Sequence, residues 1–214
     1  FFRELTGEKL ESLITSELGH QHRLDDLVMT GNESRERRSG IARGPELLLH
    51  ITAGNVPNPT LMSMVLGILA RSAQFVKCAS GSALLPGLFA HSIYETDPKL
   101  GACIELAEWL GGKTDLEDVM IAEADTVTIT GADETIDAVR KRIPPGRRCL
   151  GYGHCVSFGY ITKEAMSGFG VSRVVEDAAT DVIAWNQLGC LSPHLFYVEL
   201  GGRTTPDEFA SQLA

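Results

Sequence analysis

Cys190 is the residue whose type and setting point most directly to chemistry. It sits in Asn186-Gln187-Leu188-Gly189-Cys190-Leu191-Ser192-Pro193, between an expected helix and an expected strand. A thiolate attacks carbonyl carbon, a preceding glycine lets a ligand come close to the backbone, and the cysteine's own N–H can help hold an oxyanion. The competing reading is a small buried hydrophobe, the commoner fate of a cysteine. Asn55 lies in Ala53-Gly54-Asn55-Val56-Pro57-Asn58-Pro59, directly after an expected strand. Its amide either belongs to a turn built from Gly, Asn and Pro or donates into the crevice where parallel strands end. Lys77, flanked by Val76 and Cys78, finishes the next expected strand. A lysine there either reaches solvent or hydrogen-bonds a ribose or phosphate.

The elements that must position these residues alternate. Leu47–Thr52, Gln74–Cys78 and Thr126–Thr130 read as strands, while residues 60–71, 82–94 and 133–142 carry helical spacing or follow a turn into a helix. Leu100–Leu110 reads as a further helix, and Cys149–Leu150 and His154–Ile161 as extended. Strand and helix in alternation imply parallel βαβ units and an α/β sheet. Before them, Leu10, Leu13, Ile14 and Leu18 recur at helical spacing, Leu24, Leu27 and Val28 suggest a second helical piece, and Gly31–Gly44 reads as a polar linker. After Thr162 come a helix over about 173–187, a strand at Leu195–Leu200 and a terminal helix near Pro206, with Thr205 as its N-cap. The expected domains are an N-terminal helical segment and linker (1–45), a Rossmann-like cofactor-binding domain (46–161) and the beginning of a catalytic domain (162–214).

Composition narrows the function. Among 214 residues, 19 Lys plus Arg face 28 Asp plus Glu, a net charge of −9 that argues against wrapping nucleic acid. No apolar run is long enough to span a membrane. Phe1 is not followed by a basic and then an apolar segment, so the expectation is a cytoplasmic protein without a signal peptide. Five dispersed cysteines with no CxxC pair suit a reducing compartment and give no zinc or dithiol pattern, so no metal is expected. Ala107-Glu108-Trp109-Leu110-Gly111-Gly112-Lys113-Thr114 imitates a phosphate loop, but Ala107 replaces the first glycine and the segment before it reads as a helix. Gly151-Tyr152-Gly153 begins a GxGxxG and does not complete it.

Taken in order, the pieces resemble the aldehyde dehydrogenase superfamily and, within it, the Lux-type fatty-acyl-CoA reductases. Gly54-Asn55-Val56-Pro57 is similar to the family's Trp-Asn-Phe-Pro turn, whose Asn supplies an oxyanion-hole amide. Phe75-Val76-Lys77-Cys78-Ala79-Ser80 resembles the Lys-Pro-Ser-Glu strand end that holds the adenosine ribose. Ile129-Thr130-Gly131-Ala132 resembles the Phe-Thr-Gly-Ser segment beside the pyrophosphate and nicotinamide, and residues 186–190 resemble the region of the nucleophile. The resemblance implies Cys190 as nucleophile, Asn55 as oxyanion donor, and Lys77, Ser80, Thr130 and Gly131 as cofactor contacts. It also implies an acyl thioester such as a fatty-acyl-CoA as substrate, a homo-oligomer, and synthetase and transferase partners by analogy.

The departures from the family carry information too. Hydrolytic members place a water-activating Glu in a Glu-Leu-Gly-Gly segment; here the matching place reads Gly151-Tyr152-Gly153-His154, without a carboxylate. An acyl-enzyme is therefore expected to be reduced rather than hydrolysed, with His154 either an acid/base group or a structural histidine. Ser80 stands where the ribose-binding Glu is expected, and a carboxylate there would repel a 2′-phosphate, so the expected cofactor is NADPH, with NADH as the alternative. The chain stops at Ala214, soon after Cys190, and the family's later Glu-x-Phe motif has no counterpart. The alternatives are thus a short-chain acylating aldehyde dehydrogenase, an acyl-phosphate reductase, or an inactive truncated cofactor-binding fragment.

Overall fold

The computed structural model describes residues 2–30, 38–168 and 170–214. The chain divides into two compact units, Phe1–Tyr152 and Gly153–Ala214. That division falls earlier than the 161/162 boundary expected from the sequence, because the strand ending at Ile161 pairs with a strand near the C-terminus and not with the large sheet.

In the first unit, α1 (Gly7–Leu18) begins at Thr6, whose hydroxyl accepts from the Lys9 N–H, and ends at Gly19 in the left-handed region (φ 76°) that glycine adopts without steric cost. The second helical piece expected around Leu24–Val28 is absent. Residues 21–26 turn, and β1 (Val28–Thr30) pairs antiparallel with β2 (Arg38–Gly40). Within the expected linker, residues 31–37 lie outside the described residues. Asp25 in that turn takes a two-pronged ion pair from Arg71 (Nε 3.0 Å, Nη2 2.8 Å).

The large sheet then forms from β3 (Leu47–Ile51), β4 (Ala73–Cys78), β5 (Ile104–Glu108), β6 (Thr126–Thr130) and β7 (Arg148–Tyr152), all parallel and in the order β5-β4-β3-β6-β7. The connecting helices are α2 (Asn58–Leu69), α3 (Leu84–Thr96), the short α4 (Pro98–Gly101), α5 (Thr114–Glu123) and α6 (Asp133–Arg140). Two cores flank the sheet. Leu49, Ile51, Val127 and Ile129 pack with Ile121 and Ala124 beside α5 and with Ile136 and Val139 of α6. On the other face, Val76, Cys78 and Ile104 pack with Met64 of α2 and Ala90 of α3. Burial on both faces explains why β3 is apolar at successive positions (Leu47, Leu48, Leu49 and Ile51) rather than at alternate ones, with His50 as the exception.

The helix expected over Leu100–Leu110 is corrected to a turn of helix and then a strand. Ile104–Glu108 is held in the sheet by five register positions against β4, from Gln74↔Ile104 to Cys78↔Glu108. Only Ile104 of this edge strand is buried. With so little of it in the core, its side chains lack the uniform apolar character that marks β3.

One polar chain runs through the middle of the sheet. His50 is 2% exposed; its Nε2 meets Gln74 Oε1 at 3.0 Å and its Nδ1 meets Thr128 Oγ1 at 2.6 Å. Gln74 Nε2 donates to the Met64 carbonyl, which fixes the amide's orientation. Gln74 Oε1 can only accept, so His50 Nε2 donates, and the neutral ring's Nδ1 accepts from the Thr128 hydroxyl. Burial holds the His50 pKa below its ordinary value, against the Gln74 hydrogen bond that raises it. Gly67 leaves the room this needs: a Cβ there would come within 2.3 Å of the Gln74 side chain.

In the second unit, β8 (Phe158–Ile161) and β9 (Leu195–Val198) form a parallel pair, with α7 (Val171–Ile183) and α8 (Pro206–Leu213). Ile161, Met166, Val175, Ala178 and Phe209 make its core. Thr205 and Glu208 form a complete capping box at the start of α8. Among the described residues, no helix is long and apolar enough to cross a membrane.

The His50 arrangement predicts how stability depends on pH. The unfolded histidine takes a proton near pH 6.5, while the folded ring, with its pKa lowered, stays neutral. Stability is therefore lost as pH falls below about 6.5, at no more than about 1.4 kcal/mol per pH unit from this group. Urea melts at pH 7.5 and 5.5 are expected to show the wild type losing more stability than His50→Gln over that interval. Gly67→Ala is expected to cost about 1–3 kcal/mol at pH 7.5, as the new methyl displaces Gln74.

Candidate functional site

The strand order brings three loops of the first unit to one edge. From β3 the chain proceeds outward to β4 and β5, then returns to place β6 on the other side of β3. Adjacent strands whose connections leave in opposite directions open a crevice at their carboxyl ends, which is where such sheets bind ligands. The loop after β3 carries Asn55, the loop after β6 carries Gly131, and the loop after β4 carries Ser80.

Close packing joins the first and third of these loops. The Thr52 N–H and hydroxyl both donate to the Lys77 carbonyl, at 3.1 and 3.3 Å. A Cβ on Gly54 would sit 3.1 Å from the Ala79 Cβ and 3.6 Å from Ser82, so glycine lets the two loops touch. Asn55, the next residue, is exposed. After β4 the chain turns through Ala79–Ser82, with Gly81 at φ 80° and the Ser82 hydroxyl donating to the Ala79 carbonyl at 2.6 Å. Ser80 stands exposed on this turn.

Lys77 does not reach solvent: it is 5% exposed. Its ammonium lies 5.8 Å from the Trp109 ring centroid and, among the described residues, makes no hydrogen bond or ion pair. A ring face offsets only part of the cost of burying a cation, so a further polar partner is favoured. Beyond β6, Thr130 is half-buried, and the Gly131 N–H donates to the Tyr152 carbonyl at 3.2 Å.

Sequence reasoning missed two residues here, Glu108 at the end of β5 and Trp109 just after it, because the segment that carries them reads as a helix. Glu108 ends β5 opposite Cys78. Its two carboxylate oxygens accept from the Gly81 N–H (2.8 Å) and the Ala83 N–H (3.1 Å). Burial and the neighbouring Glu108 charge push the Cys78 thiol up from its usual pKa. The phosphate-loop imitation also changes standing, since it does follow a strand and precede α5. Ala107 still replaces the first glycine, and Asp115 and Glu117 crowd the first turn of α5 with acid.

Cys190 and His154 belong to the second unit. The helix expected to run to Gln187 ends at Ile183, and a 3-10 turn follows in which Trp185, Asn186 and Gln187 all have positive φ (56°, 50° and 60°). Non-glycine residues held there cost on the order of 1 kcal/mol or more each, and such strain gathers at functional turns. The following turn is braced by Ser192 N–H to the Gly189 carbonyl (3.0 Å) and by the Ser157 hydroxyl to the Cys190 carbonyl (2.8 Å). Cys190 itself is exposed, against the buried-hydrophobe reading, and its N–H has no acceptor among the described residues. His154 is exposed in the stretch between β7 and β8. An open pocket of about 340 Å³ in this unit is lined by Val182, Gln187, His194 and Leu195, among others. No group of three or more His, Cys, Asp or Glu suited to holding a metal occurs among the described residues.

The fold is that of the aldehyde dehydrogenases. A glyceraldehyde-3-phosphate dehydrogenase of Methanocaldococcus jannaschii, solved with NADP, superposes with a TM-score of 0.68 at 15% identity over 96% of this chain and 49% of its own. A propionaldehyde dehydrogenase of Clostridium phytofermentans gives 0.65 at 16% identity over 96% and 50%. The chain belongs to the acyl-CoA reductase (LuxC) family, whose model matches residues 2–214. Among curated proteins, a long-chain acyl-protein thioester reductase of Vibrio harveyi is 26% identical over 191 residues, and one of Photorhabdus laumondii is 22% identical over the same length. Each match covers 88% of this chain, and the chain spans 38% of the length of each relative.

The cysteines provide a direct check on this arrangement. Cys103, Cys155 and Cys190 are exposed, whereas Cys78 is fully buried with a raised pKa. A thiol reagent at pH 8 is expected to modify those three in the native protein, and Cys78 only once denaturant is added. Peptide mapping of the labelled sites reads the outcome.

Proposed function

We propose that this chain forms the cofactor-binding and nucleophile-bearing part of a reductase that converts a fatty-acyl thioester, on coenzyme A or on a protein, into the aldehyde. The observation that carries the reading is the family match, which runs through both units and includes Cys190. The names of the curated relatives support the thioester as substrate. In this reading the first unit binds the cofactor and the second supplies the nucleophile.

Cys190 attacks the thioester carbonyl as its thiolate, forming a carbon–sulfur bond. The Cys190 N–H, which has no other acceptor among the described residues, and the Asn55 amide stabilise the oxyanion, an effect worth about 3 kcal/mol per donor in comparable sites. Collapse expels the carrier thiolate, which His154 protonates, and leaves an acyl group on Cys190. Residues 151–154 hold no carboxylate to activate water, so this acyl-enzyme survives until it is reduced.

A nicotinamide cofactor, when bound, supplies the hydride. The residues at the sheet edge fit such a group: Lys77 is a buried cation in need of a polar partner, and Thr130 and Gly131 border the crevice. Lys77 and Ser80 hold the adenosine ribose, and Ser80 in place of a carboxylate favours NADPH. A cytoplasmic homo-oligomer working beside enzymes that load and release acyl groups completes the proposal.

Incubation with radiolabelled palmitoyl-CoA tests the nucleophile. The wild-type chain is expected to retain thioester-bound label that hydroxylamine removes, and Cys190→Ala to retain none. Asn55→Ala is expected to slow labelling by about 100-fold, the loss of one oxyanion donor. Label of the same amount on Cys190→Ala would overturn the assignment.

A further inference from the structure

We infer that the Trp109 indole N–H and the Lys77 ammonium form one two-donor site for the 2′-phosphate of a phosphorylated adenosine, which makes Trp109 a coenzyme-selecting residue of this chain. The inference rests on the cofactor reading given above and adds a residue that the sequence motifs do not contain.

The placement follows from the register of β4 and β5. Lys77 lies opposite Ala107 and Phe75 opposite Glu105, so these four side chains share one face of the sheet. Trp109, two residues beyond Ala107, turns to the same face: its ring centroid is 6.2 Å from that of Phe75 and 5.8 Å from the Lys77 ammonium. Glu108, opposite Cys78, leaves on the other face, where the Gly81 and Ala83 N–H groups donate to it. Glu105 is exposed one step back along the strand and makes no ion pair with Lys77. On its other side Lys77 is flanked by Ile51, which offers no acceptor. The two donors thus stand together near the carboxyl ends of the strands, the edge at which parallel sheets bind ligands.

Both donors lack an acceptor. Trp109 Nε1 is buried without a hydrogen-bond partner among the described residues. Lys77 is 5% exposed, and its ammonium makes no hydrogen bond or ion pair among the described residues. An indole N–H and an ammonium can only donate, so neither satisfies the other. Two buried donors left unmet cost free energy, the charged one more. A phosphate answers both: its oxygens accept from the indole N–H, and its charge offsets the ammonium in a charge-assisted bond. A ribose hydroxyl supplies lone pairs but no charge. The 2′-phosphate is carried by the same ribose that Lys77 and Ser80 are proposed to hold, and Ser80 adds no carboxylate to repel it. Tryptophan, which no cofactor motif in the sequence contains, enters the site only because β5 pairs with β4 in this register.

Half-nucleotides separate the 2′-phosphate from the nicotinamide end. The chain has two tryptophans, Trp109 and Trp185, so Trp185→Phe leaves Trp109 as the sole reporter. In that variant 2′,5′-ADP is expected to change the tryptophan fluorescence saturably, with the dissociation constant that calorimetry gives for the wild-type chain. Trp109→Phe keeps an aromatic ring beside Phe75 and Lys77 but removes the N–H. It is expected to weaken 2′,5′-ADP about tenfold, the loss of one hydrogen bond to a charged group, with 5′-AMP changed less than about twofold. Equal weakening of both nucleotides would put the acceptor elsewhere on the adenosine and overturn the 2′-phosphate assignment. Unchanged affinity for both, or Trp109 fluorescence that ignores bound 2′,5′-ADP, would overturn it as well; the cofactor reading stands in each case. A wild type that binds none of 5′-AMP, 2′,5′-ADP, NADH and NADPH would remove the cofactor reading and this inference together.

Discussion

The first unit depends on β3 being paired along both edges and covered on both faces. From that single requirement follow an apolar strand, parallel neighbours on either side, helices above and below, and a chain that must leave β3 one way and come back the other. The Asp125 carboxylate, which accepts from the Glu46 and Leu47 N–H groups at 3.0 and 3.1 Å, sets where β3 begins beside β6. His50 shows how strictly the interior is matched. A ring with two nitrogens is admitted to the centre of the sheet only because Gln74 and Thr128, on the strands to either side, satisfy one each.

The crevice is a by-product of that topology. Nothing in the sequence between Thr52 and Asn58 would open a crevice by itself; it arises because the chain leaves β3 toward β4 on one side and later returns to β6 on the other. Small residues then decide how near the loops approach. Gly54 against Ala79 lets the turn bearing Asn55 lie against the turn bearing Ser80. Charge is distributed with similar economy: Lys77 is buried without an ion pair among the described residues, while the Glu108 carboxylate, at the end of the neighbouring strand, accepts from backbone N–H groups.

The second unit follows a different local logic. Its parallel pair of short strands exposes Phe158, Tyr160 and Tyr197, while the opposite side packs on α7 and α8. The turn carrying Cys190 departs from the helix before it through three consecutive left-handed residues. Of these only Asn186 has a side chain that favours the conformation. Ser157 and Ser192, not the helix, brace the turn that presents the thiol.

Much of this was legible in the residues. The apolar runs at Leu47–Ile51 and Thr126–Thr130, the helical spacing after each turn, and the Thr205-Pro206 start of the last helix all have local causes, and each element forms where those causes put it. The short motifs around Asn55, Lys77, Gly131 and Cys190 were legible too, as residue types in order. The edge strand Ile104–Glu108 was not, because a half-exposed edge strand has no uniform apolar signature and its identity comes from pairing with β4. The turn-and-strand conformation of residues 21–30 was likewise hidden behind helical spacing, since β1 exists only through its partner β2. Sequence alone therefore determined the class of fold and the kinds of groups available, both of which rest on local propensity and periodic burial. Tertiary structure decided which carboxylate caps the turn after β4, which buried cation has no ion-pair partner among the described residues and how the thiol is presented, because those depend on contacts between residues far apart in the chain.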